Sequence, residues 1–446
     1  MGSLRRGARP LSSATETMMS HHLRHGARRL SSTTTTADVV VVGGGVVGSS
    51  IALHVSARRP DWRVVVLERD SSYARASAPL SAGGIRQQFS NGENVQLSVF
   101  GAAFLKGGLA ALLAAAGRGD LAEDATERLA FREAGYLTLA SAAHAGVLAD
   151  NLATQAANGA DWIELLDRDA LEARFPWLDC GDDVACGAFG HRNEGYFDPW
   201  ALLDLMRKGA ESLGVEYRAA AARGFRVEGG RVSAVATDVG DLACGVAVNA
   251  AGAHAASLDL PGAAHALPIA PRKRCIFAIS APEPESGRPR PPKDAPLTVD
   301  TSGCYFRGDL RDGGYVCGVS PPADRDGDVA DLDELEHIDH DLFEATIWPH
   351  LAARVPAFEA LRVESAWAGL YEYNTLDQNA IVSWHPDAGN LFVAAGYSGH
   401  GLQHAPGVGR AVAEVLDAGR YETIDLAPFS YDRVAEGKPF LEANIW

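Results

Sequence analysis

ADVVVVGGGVVGSSIALHVSARRPDWRVVVLERD, residues 37–70, decides the fold. An apolar β-branched run, Val39 to Val42, ends in Gly43-x-Gly45-x-x-Gly48, and Glu68 follows twenty residues after the last glycine. Such a run reads as a buried parallel strand. In this spacing the first glycine makes the tight turn and the second lets backbone approach a pyrophosphate. The third lets the next helix pack closely on the sheet. A helix from Val46 to about Arg58 aims its first amides, at Val46 and Val47, toward the phosphates. A second strand, Arg63 to Leu67, delivers Glu68 to the ribose hydroxyls of an adenosine, with Arg69 beside it. A lone glycine cluster also marks ordinary turns, but here strand, loop, helix, strand and acid fall in register. Together they specify a dinucleotide site.

The segment 1–36 differs from everything after it. It holds six arginines, one acid and no lysine among many Ser and Thr. Arg-rich, Ser-rich and acid-poor is the composition of a transit peptide, so the expected address is mitochondrial, on the matrix side. The alternative is a tail without an address. No continuous apolar stretch makes a secretory signal, and Arg6 stands where a myristoylation motif needs Ser or Thr. The chain carries 40 basic and 57 acidic side chains; without the leader 34 and 56 remain, a net of −22. That charge repels phosphate polymers, so no nucleic-acid partner is expected. Residues 39–57 lack any charged side chain, but three glycines mark them as strand, loop and crossover helix. The Ala/Leu stretch 107–116 is too short to span a bilayer, and no transmembrane helix is predicted. Six cysteines without a C-x-x-C pair read as small apolar fillers.

The length calls for two interleaved domains. Apolar strands running into glycine turns recur at Ala247–Ala253, with Gly252, and at Asn390–Ala395, which leads into Gly396-Tyr-Ser-Gly-His-Gly401. A helix is predicted over about 405–418, with Pro406 in its first turn. The expected fold is α/β: a Rossmann-like dinucleotide-binding domain assembled from 37–105, 190–262 and 366–425. The intervening 106–189 and 263–365 contain short alternating segments, Tyr136–Ala140, Cys275–Ile279, Cys304–Arg307 and Tyr315–Val319. They predict an α+β substrate domain around a mostly antiparallel sheet, flanked by helices at about 144–158 and 332–353. Residues 426–446 are a C-terminal tail. The run Asp324-x-Asp326-Gly-Asp328 fails as a calcium loop, because Leu335 holds the twelfth position where glutamate is needed. It reads as a solvated acidic loop, and no metal is predicted.

A glutamate at the second strand's end suits NAD or FAD. Three features favour FAD: the Glu68-Arg69-Asp70 sequence, the segment SAGGIRQQFS at 81–90, and the Gly396–Gly401 loop opening a helix. The positive end of that helix can stabilise an anionic reduced flavin.

The GGGVVG loop, SAGGIRQQFS, VNAAGAHA at 248–255, WAGLYEYNTLDQN at 367–379 and GYSGHGLQHAPGVGRAVAEVL at 396–416 resemble the D-amino-acid oxidase family of flavoproteins, which includes sarcosine and glycine oxidases. The wording is more similar still to a member that assists assembly of mitochondrial respiratory complex I. The resemblance implies FAD in an extended form, with its ring between the nucleotide domain and an antiparallel substrate domain. Carried over by position, Gly43, Gly45 and Gly48 meet the pyrophosphate and Glu68 the ribose. Ser81 to Gln87, with Gly83, Gly84 and Arg86, line the ring region, and Gly252 joins the cofactor set. Gly396, Tyr397, Ser398, Gly399, His400, Gly401, Leu402 and Gln403 contact the isoalloxazine edge.

Departures from the family pattern shape the rest. Leu370 and Ser81 stand where related enzymes attach flavin covalently, so FAD is expected to be non-covalent. Phe89 falls where sarcosine oxidases keep a carboxylate-binding arginine, and Val316 or Cys317 where they keep a lysine above the ring. Arg307 is then the candidate carboxylate anchor, because guanidinium pairs bidentately. Tyr305, Tyr371 and Tyr373 are candidate pocket walls. His400 either tunes the ring or bonds its own loop. Two functions follow from the resemblance. One is a flavin-stabilised partner of complex I subunits or assembly intermediates, peripheral to the inner membrane. The other is an oxidase or dehydrogenase of a small amine or amino acid.

Overall fold

The computed structural model describes residues 36–285 and 287–444, so the leader lies outside it except for Thr36. Five parallel strands form the heart of the first sheet, in the order Ala388–Ala395, Gly240–Asn249, Ala37–Val42, Val64–Glu68 and Glu216–Ala219. Ile381–His385 adds an antiparallel edge, and the hairpin Ala222–Glu228/Arg231–Thr237 extends from Gly240–Asn249. The valine run needs no polar alternation because both faces are covered. Val39 and Val41 face a core built with the helices Val46–Arg58, Pro199–Ser212 and Gly401–Ala418, while Val40 and Val42 face the hairpin side with Phe225 and Val235.

The second sheet runs Arg362–Asn374, Ile269–Ser280, Gly314–Gly318, Tyr305–Gly308, Leu297–Val299, Tyr136–Ala140, Cys186–Gly190 and Ile163–Asp167. Every neighbouring pair is antiparallel except Leu297–Val299 with Tyr136–Ala140. One face packs on an aromatic core that includes Trp177, Phe277, Phe306, Tyr315 and Phe358. All six cysteines are free and buried.

Several expectations need correction. The strand Arg362–Asn374 crosses the anticipated boundary at 365/366 and pairs along its length with Ile269–Ser280, so it belongs to the antiparallel sheet. Leu109, Leu113, Ala125 and Leu129, assigned by sequence to the substrate domain, pack instead into the first core. The apolar stretch at 107–116 is the end of a longer helical segment, Gly92–Ala115, kinked at Gly107, which is long and apolar enough by length and composition to cross a membrane. Here it packs Leu97, Ala102 and Leu105 on the first core and lies against the helix Gly401–Ala418. The single helix expected over 332–353 is two. Asp331 caps Leu332–Glu336, the chain extends at His337, and Asp339 caps a second start that runs from His340 to Arg354. The helix predicted over 405–418 starts at Gly401, which places Pro406 inside it. The missing N–H costs one bond there, at the carbonyl one turn back.

Candidate functional site

The three glycines of the first loop differ in what surrounds them. Gly43 has φ +99°, a backbone conformation that L side chains rarely adopt, and an added Cβ would collide with the carbonyl of Ala250. At Gly48 the same carbon would collide with the carbonyl of Gly43. Packing alone therefore demands both residues. Gly45 is different, because a Cβ there would meet nothing within 4 Å. Its φ of −63° suits any residue, so the protein itself gives no reason for glycine. A ligand approaching the backbone does. Gly45 is the N-cap of the helix Val46–Arg58 and brings no side-chain cap. Helix geometry leaves the amides of Val46, Val47 and Gly48 without a carbonyl one turn back, ready for phosphate oxygens.

Glu68 lies beside this turn. Its Oε2 accepts the Gly44 N–H at 2.8 Å and its Oε1 the Asp70 N–H at 2.9 Å. Each oxygen retains a lone pair for a hydroxyl donor. Arg69 is held by His254 of the VNAAGAHA segment, with Nη2 2.8 Å from Nε2. Burial, then the Arg69 charge, lowers His254 to about 4, so the ring is a neutral acceptor near pH 7. Gly252, at φ +56°, turns the chain into that segment.

A cavity of about 220 Å³ lies between the two sheets, where the ring region was expected. Ser81, Gly83, Gly84, Arg86, Tyr305, Leu370 and Tyr371 line it, as do Ser398, Gly399, His400, Leu402 and Gln403. The loop behind it is pegged by the strand Arg362–Asn374. Glu372 accepts the Gly396 N–H on Oε2 at 2.9 Å and the Ser398 N–H on its main-chain oxygen at 3.0 Å. The Asn374 N–H donates to Ser398 Oγ at 2.9 Å, and the Tyr371 hydroxyl donates to the Ser398 carbonyl.

Other expected residues lie elsewhere. Gln87 is fully buried and turned away, its amide donating to the Asn193 carbonyl at 3.1 Å. Its main-chain N–H donates at 2.6 Å to Glu194, a carboxyl that burial raises to about 7. Tyr397 sits in the first core rather than at the cavity. Gly396 and Gly401 shape the loop from behind. Tyr373 is not a pocket wall; it lies under Arg272. Phe89 is fully buried behind Arg86, and Val316 and Cys317 are interior strand residues.

Arg307 is the main correction. It shares a sheet face with Tyr305, but its Nε donates to the Ala82 carbonyl at 2.6 Å and its guanidinium lies over Tyr196. Arg307 thus fixes the 81–84 loop and does not line the cavity. Two other arginines do. Arg274 reaches the cavity from the strand Ile269–Ser280 and is paired by Asp326 at 2.6 and 3.0 Å. Asp328 pairs with Arg272 at 2.9 Å, so the acidic run is partly an ion-pair partner of this strand rather than a solvated loop. Among the described residues no cluster of three or more metal-ligating side chains occurs. No local pattern marks Arg274, because only the strand pairing brings it to the ring region.

Arg86 has a different environment. It is 4 % exposed, and among the described residues no carboxylate stands within ion-pair distance. Its guanidinium donates to the carbonyls of Gln88 and Asn444, lies 3.3 Å from His400 Nε2 and covers the Phe89 ring at 4.3 Å. Burial, then the Arg86 charge, holds His400 well below the usual histidine range and His404 at about 3. Both rings are neutral at pH 7, and the buried Glu194 is raised to about 7 by burial, although the Arg86 charge draws it down, so the cavity wall carries a cation without an ion-pair partner among the described residues. Burying one unpaired costs several kcal/mol, roughly.

Residues 38–415 match the family described as FAD dependent oxidoreductase (DAO). The chain is similar to FAD-dependent oxidoreductase domain-containing protein 1 of Xenopus laevis, 41% identical over 90% of this chain and 83% of that protein. Its identity to the Bos taurus protein of the same name is 39%, over 90% of this chain and 85% of that one. Among solved structures, L-proline dehydrogenase from P. horikoshii has the same fold, with a TM-score of 0.74 and 23% identity over 91% of this chain and 100% of that one.

The glycine loop yields a paired test. Gly45→Val should leave the far-UV circular dichroism unchanged and abolish flavin retention, whereas Gly48→Val should fail to fold. Full flavin occupancy in folded Gly45→Val would place the pyrophosphate elsewhere.

Proposed function

The chain belongs to the FAD-dependent oxidoreductase (DAO) family, and from that premise we propose that it binds FAD non-covalently in the mitochondrial matrix and acts in assembly of respiratory complex I. Gly45 carries the cofactor part, since a glycine that no protein atom requires is explained by a phosphate against its backbone. Val46 and Val47 amides would hold the pyrophosphate, Glu68 the ribose, and the cavity between Ser81–Gly84 and Ser398–Gln403 the ring. Bound there, FAD supplies a two-electron acceptor. The neutral His400 keeps a second positive charge away from Arg86. Leu370 and Ser81 occupy the two attachment positions, and no cysteine lines the cavity, which supports non-covalent binding. The assembly role rests on the resemblance in YEYNTLDQN and SAGGIRQQFS, and the matrix address on the leader's six arginines against one acid.

A second reading, turnover of a small amine or amino acid, is favoured by Arg86. A guanidinium in a cavity wall without an ion-pair partner among the described residues suits a ligand carboxylate, and a charge-assisted bond there is worth about 1.5–3 kcal/mol.

Acid precipitation of the purified protein should release all of the flavin; colour left in the washed pellet would mean a covalent bond. Residues 1–40 fused to a fluorescent reporter should enter mitochondria, and a cytosolic reporter would remove the matrix address. In cells lacking the endogenous protein, the intact chain should restore complex I levels and Gly45→Trp should not. Arg86→Gln separates the readings. If it folds with FAD and restores complex I, assembly does not depend on carboxylate turnover; if it folds with FAD and fails, the enzymatic reading prevails.

A further inference from the structure

The cavity at Arg86, about 220 Å³, is smaller than the roughly 300–1,000 Å³ of sites that enclose a small ligand. A flavin ring placed there leaves no chamber for a second molecule. A neighbouring cavity of about 370 Å³ supplies one, and Val319 and Ser320 line both. The two are also joined by a hydrogen bond. Arg86, in the wall of the smaller cavity, donates from Nη2 at 2.7 Å to the main-chain oxygen of Asn444, in the wall of the larger one.

Asn444 belongs to a strap, Phe440–Asn444, that crosses the outer side of this contact. Its Nδ2 donates at 2.7 Å to the Gln88 carbonyl, which Arg86 also uses. Glu442 anchors the strap by accepting the Ser90 N–H and hydroxyl, each at 2.6 Å, and the Asn94 amide at 3.0 Å. Leu441 points outward, 64 % exposed. Past Phe440 the strap is therefore held by polar bonds with little apolar burial, the kind of segment that opens locally before the core does.

We propose that the larger cavity is the access chamber for a small carboxylate-bearing molecule, and that the strap Phe440–Asn444 gates its passage to Arg86. The carbonyl of Asn444 holds the place that the anion takes. A carboxylate exchanges for it favourably, because a charged acceptor bonds guanidinium more strongly than a neutral one. This proposal rests on the FAD reading above.

Sulfite is a suitable anionic probe on the full-length, FAD-loaded protein. Its sulfur lone pair forms a bond to flavin N5, and the negative charge passes to the ring, bleaching its absorbance. Glu442→Ala, which frees the strap, should raise the bleaching rate constant at least tenfold at equal flavin content. Ser90→Cys with Ala443→Cys locks the strap where the Ala443 N–H now donates to Ser90 Oγ at 2.8 Å. The oxidised pair should bleach at least tenfold more slowly than the parent, and dithiothreitol should restore the rate. Equal rates for the parent, Glu442→Ala and the oxidised pair, all with FAD bound, would overturn the gate. A parent chain that binds no FAD would overturn the FAD reading and the gate with it.

Discussion

Three residues of one strand, Tyr371, Glu372 and Asn374, hold the loop that opens the helix Gly401–Ala418, and the site depends on them. The strand pairs along its length with the antiparallel sheet, while the loop continues the last parallel strand of the other sheet. Hydrogen bonds from Gly396 and Ser398 to Glu372, and from Asn374 to Ser398, therefore tie the two sheets together where the cavity lies. The Glu372 carboxyl sits close to where Cβ atoms would lie at both Gly252 and Gly401. Burial raises it to about 7, and the amides of Gly396 and Tyr397 oppose that rise. Small residues on both sides let a carboxyl approach the backbone this closely. A cavity set between two independently mobile domains would not keep a ring in one plane; this one is pegged from both sheets.

Charge is arranged unequally around the cavity. Arg274 is neutralised by Asp326, Arg307 is engaged by a carbonyl of the 81–84 loop, and only Arg86 combines burial, a place in the wall and the lack of a described carboxylate partner. Two neighbouring histidines are kept uncharged by burial and by Arg86 itself. The arrangement concentrates one positive charge at one place, which a small anion can read.

The nucleotide half was legible because its signal is local. Strand, turn, helix and acid occupy residues 37–70, and the glycine spacing alone conveys the turn at Gly43, the close helix packing at Gly48 and the ligand approach at Gly45. Short alternating segments likewise announced the antiparallel sheet. What could not be read is what pairing decides. Tyr305 and Arg307 alternate identically along one strand, yet only Tyr305 meets the cavity, because the Ala82 carbonyl, 225 residues away in sequence, captures Arg307. Arg274 and Asp326 come together only across the strand Ile269–Ser280. Arg86 stood in a recognised motif, but its lack of a described carboxylate partner is a property of the folded surroundings. The strap gives no periodic signal at all. The domain boundary at 365 failed for a related reason, since the strand Arg362–Asn374 starts with four exposed residues, Arg362 to Ser365, and continues partly or fully buried while remaining one element.

The central claim is that FAD lies extended from Gly45 to the pegged cavity. A crystal structure of the protein grown with FAD tests it directly. Pyrophosphate oxygens should lie within about 2.7–3.2 Å of the Val46 or Val47 amide nitrogens, with the ring between Ser81–Gly84 and Ser398–Gln403. A pyrophosphate outside hydrogen-bonding reach of those amides, or a ring outside that cavity, would contradict the account.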